Sequence, residues 1–244
     1  MGQLLPLHCK GTNKEKIFEA LQEGIHRGFW VQLLSPFGGD QLIPADLLPE
    51  GSGVVVASGG SSGGRQYCFQ PSKNLDISAQ ETGFWLQRQG IEPKNCLILN
   101  PLPICHVSGL MPWWRSRCWG SEHISISPEL MKDPVLLEAL YGFERKKKDF
   151  QGIISLVPTQ LRRLLNHPAG LRWLSGLSVI WVGGAALSRD LEELCREHRL
   201  RLSPCYGATE TAAMVTALSP KDFLQGSSDC GRPLGDVQLR LALD

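Results

Sequence analysis

The chain has 244 residues, 42% of them hydrophobic and 20% charged, with 25 Lys and Arg against 24 Asp and Glu for a formal net charge of +1. Disordered chains carry fewer apolar residues and more net charge, nucleic-acid binders carry a surplus of cations, and a bilayer span needs about 18 consecutive apolar residues, so a folded globular protein is expected. At this length roughly three quarters of the unfolded surface can be buried, enough for a sizeable core.

The N-terminal residues MGQLLPLHCKG lack a basic stretch followed by an apolar one, so no secretory leader is read there. A helix is predicted over 13–23, capped by Thr12 or Asn13, with Ile17, Ala20 and Leu21 on one face. A strand follows over 29–34, then a turn at 50–53 and the β-branched run Val54-Val55-Val56-Ala57, a buried strand that stops in a glycine loop. Ser78-Ala79-Gln80-Glu81 has capping-box spacing and predicts a helix over about 77–89. A strand over 96–99 comes next, then Asp133-Pro134 as cap and first turn of a helix reaching 141, and a strand over 152–157. The basic run Arg145-Lys146-Lys147-Lys148 has no interleaved aromatic residues and reads as a solvated surface. A helix over 159–166, a strand over 178–182 ending in Gly183-Gly184, and a helix capped by Ser188 complete the alternation. This rhythm predicts an α/β fold of mainly parallel sheets flanked by helices, with ligands beyond the carboxyl ends of the strands.

The eight cysteines, Cys9, Cys68, Cys96, Cys105, Cys118, Cys195, Cys205 and Cys230, never form a CxxC pair. Neither a zinc site nor a redox dithiol is suggested; reduced thiols in the cytoplasm, most of them buried, are expected.

Three segments place glycine and hydroxyl residues directly after an apolar run: 58–66, 183–187 and 206–211. Residues 58–64 hold four glycines and three serines, which remove Cβ obstruction and leave backbone N–H groups and hydroxyls free to surround an anion. A flexible surface loop is the plain alternative. As a nucleotide P-loop the segment fails, because Arg65 stands where Lys belongs and Gln66 where the magnesium-binding hydroxyl belongs. As a GxSxG nucleophile elbow it would make Ser61 a hydrolase nucleophile, with His106, His123, His167 or His198 as base, but no helical period follows it.

The order of four motifs carries a resemblance: the Ser/Gly loop, then PLPICHVSGL over 101–110, then GGAAL over 183–187, then YGATET over 206–211. It resembles the adenylate-forming superfamily of acyl-CoA synthetases, luciferases and peptide-synthetase adenylation domains, over about 54–244, with 1–53 as an N-terminal segment packed on that core. The GGSSG loop and HVSGLM segment look most like the 2-succinylbenzoate–CoA ligases of menaquinone and phylloquinone biosynthesis. The resemblance implies that Ser58, Gly60, Ser61, Ser62 and Gly63 hold the ATP phosphates, that Gly184, Ala185 and Ala186 lie along adenine, and that Tyr206 stacks on it. By the same resemblance Thr209 meets the α-phosphate, Glu210 coordinates Mg²⁺, and His106 stands at the acyl pocket. It implies ATP-dependent activation of an aromatic carboxylic acid as acyl-AMP, then transfer to CoA. If the acid is 2-succinylbenzoate its second carboxylate needs a cation, for which Arg115 and Arg117, shortly after His106, are the candidates, an ordinary solvated role being the alternative. The loop lacks the superfamily's terminal Pro-Lys, and the chain stops before that superfamily's C-terminal domain. A poorly active ligase core is therefore expected, a non-catalytic nucleotide- or acyl-binding remnant being the alternative.

Overall fold

Two mixed sheets with a helical layer between them organise the computed structural model, which describes residues 2–10, 14–58, 66–142, 151–235 and 237–240. The first sheet has β1 (Leu4–His8), β2 (Trp30–Leu34), β3 (Gly53–Ser58) and β4 (Gln66–Pro71) in that order. The first three strands are parallel and β4 returns antiparallel. Helix α1 (Lys14–His26) makes the crossover from β1 to β2, burying Ile17, Phe18, Leu21 and Gly24 on one stripe. Alternation along the strands puts Val31, Leu33, Val54 and Val56 on the face that meets the helices. The opposite face is covered by the segment after β2: the Trp30 indole donates to the Pro49 carbonyl (2.9 Å), and Gln32 donates to the Gln41 carbonyl (2.7 Å) and accepts from the Ile43 N–H (3.1 Å).

The second sheet has seven strands in the order β11 (Arg232–Pro233), β10 (Ala213–Ala217), β9 (Leu202–Ala208), β8 (Val179–Val182), β7 (Gln151–Leu156), β5 (Cys96–Asn100) and β6 (Glu122–Ser125). From β6 to β9 all neighbours are parallel; β10 and β11 are antiparallel. One face, with Leu97, Leu99, Ile154, Leu156, Ile180 and Val182, packs on an outer layer. That layer comprises α4 (Pro134–Tyr141), α5 (Pro158–Leu165), α6 (Pro168–Gly176), α7 (Arg189–Glu197) and α8 (Pro220–Leu224). The other face packs on α2 (Ser72–Arg88), which with α3 (Val107–Trp119) also closes the first sheet. The expected α/β class with mainly parallel sheets and flanking helices is the observed one. Among the described residues no helix is long and apolar enough to cross a membrane.

Several expectations shift in detail. Helix α2 begins at Ser72 rather than 77, because Ser78 spends its hydroxyl on the Ala212 carbonyl (2.9 Å) instead of capping. Ser188 does sit at the N-cap of α7, yet its hydroxyl accepts from the Arg162 guanidinium (3.0 Å) and caps nothing. Asp133 caps α4 as the sequence suggests, accepting from the Leu136 N–H at 3.0 Å. Residues 206–208, the first half of the glycine and hydroxyl segment 206–211, continue strand β9, since Ala213 and Met214 of β10 pair with Ala208 and Gly207. The cap residues Thr12 and Asn13 and the basic run 145–148 lie outside the described residues.

Candidate active site

The carboxyl ends of β7, β8 and β9 open into a cleft of about 240 Å³, closed from the side by α3. Its lining includes Ser155 and Leu156 of β7, Trp181 of β8, Gly183 and Gly184 just beyond, and 205–209 of β9 and the turn after it. This is where parallel α/β sheets offer ligand sites. Helix α3 is held there by its approach: the Asn100 side chain donates to the Gly109 carbonyl (2.8 Å) and accepts from the Leu102 N–H (3.2 Å). A Cβ on Gly109 would collide with the Pro103 carbonyl, so only glycine lets the loop fold back this tightly. Val107, Met111 and Arg115, at i, i+4 and i+8, then share the helix face that looks into the cleft.

Arg115 is 3% exposed, and its guanidinium lies over the Trp181 ring with 5.2 Å to the centroid. Its Nε and Nη2 atoms are buried without a hydrogen-bond partner. Burial lowers its pKa to about 10, the nearby Cys205 opposing that shift, so the group stays cationic at neutral pH. Arg117, two residues on, points away from the cleft and is exposed, its guanidinium over the rings of Trp113 (5.0 Å) and Trp114 (5.6 Å). The structure therefore brings one of the two predicted arginines to the cleft.

Tyr206 lines the cleft from β9 and is 57% exposed, leaving its ring open. Gly207 is required by the hairpin: a Cβ there would collide with the Ala213 carbonyl. The 3-10 turn Thr209–Thr211 is held by the Thr211 hydroxyl, which accepts from the Ala208 N–H (2.9 Å) and donates to the Ala213 carbonyl (2.8 Å). Thr209 lines the cleft, and Glu210, next to it, is exposed. The stem of the glycine loop lies against this turn: the Gln70 amide donates to the Thr209 carbonyl at 2.6 Å, and the Cys68 thiol, 3.6 Å from the same oxygen, has its pKa raised by burial and by the Glu210 charge.

Ser58 ends β3, half-buried and paired with Gln66 of β4. Gly60, Ser61, Ser62 and Gly63 lie outside the described residues. Because β3 and β4 form an antiparallel hairpin around that segment, the strand-to-helix turn a GxSxG nucleophile needs is absent from its flanks. Gly184 lines the cleft with φ +80°, while Ala185 and Ala186 are exposed just past it and outside the lining. His106 is the N-cap of α3 and exposed; its neighbours Val107 and Ser108, not His106 itself, are in the lining. None of the other three histidines proposed as a base reaches the cleft. His123 is half-buried beside Asn100 (3.2 Å), His167 caps α6 by accepting from the Ala169 N–H (3.2 Å), and His198 ends α7. Trp181 escaped the sequence reading, although strand alternation past Gly183 places it on the cleft side of β8.

A two-sheet α/β core with one open groove at the strand ends is the class these elements define. The model of the AMP-binding enzyme family matches residues 70–244, and the chain belongs to that family. It is similar to the 2-succinylbenzoate–CoA ligase of Listeria monocytogenes, with 29% identity over 147 residues, 59% of this chain and 29% of that protein. With its counterpart from Enterococcus faecalis it shares 25% over 202 residues, 81% of this chain and 38% of that one. A solved structure of O-succinylbenzoate coenzyme A synthetase from Bacillus subtilis, in complex with ATP and magnesium ion, superposes with TM-score 0.62 at 23% identity. It covers 95% of this chain and 45% of its own, so the chain spans less than half the length of each of these proteins.

Proposed function

We infer that this chain is the nucleotide- and acid-binding core of an ATP-dependent acid–CoA ligase, with 2-succinylbenzoate as the acid. The observation that carries the reading is the convergence of Tyr206, Gly184, Thr209 and Arg115 on one cleft, with the stem of the serine-rich loop hydrogen-bonded to the turn that bears Thr209. Curated relatives similar in sequence to this chain are 2-succinylbenzoate–CoA ligases, which supports the choice of acid and of CoA as co-substrate.

In this reading the exposed face of Tyr206 stacks on adenine, with Gly184 and then Ala185 and Ala186 along the base edge. Ser58 and residues 60–63 surround the β- and γ-phosphates with backbone and hydroxyl donors, and the Thr209 hydroxyl meets the α-phosphate. The acid lies toward α3, past Val107 and Met111, with His106 at the entrance and Arg115 at the inner end facing the second carboxylate. A substrate carboxylate oxygen attacks the α-phosphorus, pyrophosphate leaves, and the CoA thiol then displaces AMP. What the chain contributes is alignment of the two reactants and donors aimed at the phosphates.

Among the described residues no three His, Cys, Asp or Glu side chains cluster to hold a metal by themselves, and no ion pair engages Glu210. That fits magnesium held chiefly by the triphosphate with one carboxylate from the protein. Bound there, the ion would neutralise phosphate charge.

The test is calorimetric titration of ATP with and without Mg²⁺, beside ATP–pyrophosphate exchange with 2-succinylbenzoate and a panel of aromatic monoacids. Expected are magnesium-dependent ATP binding, a Glu210→Gln protein that loses the magnesium dependence, and exchange that prefers 2-succinylbenzoate. Failure to bind ATP at millimolar concentration refutes the reading.

A further inference from the structure

The inner end of the cleft holds a feature the nucleotide chemistry does not use. Trp181 is 2% exposed, and its indole Nε1 is buried without a hydrogen-bond partner, like Nε and Nη2 of the Arg115 stacked on it. A buried donor left unmade is costly, more so on a charged group, so three of them on two side chains in contact within one pocket are disfavoured unless something fills them. All three are donors, which no cation or carbonyl-free apolar group satisfies; their common complement is an anionic oxygen. Around them Met111 and Met214 line the same cleft, with Ser155, the strand partner of Trp181, and Cys205 as the neutral polar neighbours, and Trp85 packs on Trp181 with centroids 5.9 Å apart.

We propose that Trp181 and Arg115 form one anion-reading pair at the end of the acid pocket, the indole N–H donating to, and the guanidinium neutralising, a second carboxylate of the substrate. Trp181 thereby acts twice, as the ring on which Arg115 is stacked and as a directional donor. This rests on the acid–CoA ligase reading and adds to it a residue that decides between dicarboxylic and monocarboxylic acids. Discrimination follows from the pair's burial: a monoacid leaves three buried donors unmet, which is how a site built for a polar group rejects the analogue lacking it.

Two non-reactive acyl-sulfamoyladenosines are the probes, one built on 2-succinylbenzoate and one identical but without the ring carboxylate. Binding of each is measured by calorimetry to the wild-type chain, to Trp181→Phe, which keeps a ring under Arg115 but removes the N–H, and to Trp181→Leu, which removes both. Thermal unfolding of each protein verifies folding. Expected is a wild-type preference of about tenfold or more for the carboxylate-bearing probe, reduced several-fold in Trp181→Phe and abolished in Trp181→Leu, with affinity for the carboxylate-free probe unchanged in Trp181→Phe. If Trp181→Phe retains the full preference, or the wild type shows none, the proposal is overturned while binding of the carboxylate-free probe upholds the ligase reading. If neither probe binds the wild type, both fall together.

Discussion

Burial sets the ionisation of several side chains around the middle layer, and His123 shows the consequence most directly. Its ring packs edge-on against Phe18 with centroids 5.1 Å apart, and Nε2 lies 3.2 Å from the Asn100 amide. Burial first, and the Lys14 ammonium second, lower its pKa to about 4. The unfolded imidazole titrates near ~6.5, so between the two values the unfolded chain binds more protons than the folded one. Stability from this group is complete above pH ~6.5 and is lost as pH falls toward 4, with a slope of at most ~1.4 kcal/mol per pH unit. Urea midpoints measured at pH 7 and pH 5 are expected to fall less in His123→Gln than in the wild type. Equal losses in the two proteins would remove His123 from the account.

Elements whose signal is local were legible in the sequence, and those shaped by tertiary surroundings were not. Asp133-Pro134 reads as a helix start and is one, so Asp133→Ala is expected to lower stability by about 1 kcal/mol, read as a shift of the urea midpoint at unchanged slope. The β-branched strand β3 and the periodic α1 and α7 were equally readable. Helix α3 was not, because it is buried on nearly every side between the two sheets; Leu110, Met111, Trp113 and Trp114 leave no polar stripe, and Pro112 inside it argues against a helix. In β4 (sequence QYCFQP) the apolar run is short and in β1 (LLPLH) Pro6 interrupts it, and each exists because its neighbour supplies a hydrogen-bonding edge. The same division holds at the site. A short motif pointed to Tyr206 and Thr209, which the structure places in the cleft lining, and to Glu210 next to them. The separation of Arg115 from Arg117 and the presence of Trp181 depend on which way α3 and β8 face, and two arginines two residues apart cannot share a helix face.

At the scale of the molecule, the middle layer belongs to both sheets. Trp114 of α3 donates to the Asp76 carboxylate of α2 at 2.8 Å, and Trp119 to the Ala79 carbonyl at 2.9 Å, while the two helices pack on Val54 and Val56 on one side and present Trp85 and Leu86 to the other. Neither sheet can open without uncovering the apolar surface of the helical layer they share, so the chain is expected to unfold in one transition. Near- and far-ultraviolet circular dichroism should trace coincident urea curves; separated curves would show the halves to be independent. Within this architecture the Gln70–Thr209 hydrogen bond joins residues 139 positions apart and ties the first sheet to the second sheet's last parallel strand. Contacts so distant along the chain close late, since the entropy of the enclosed loop must be spent before they form. The groove is thus expected to be among the last parts of the fold to close, and a nucleotide held there as proposed would gain its seat only once the two sheets have come together.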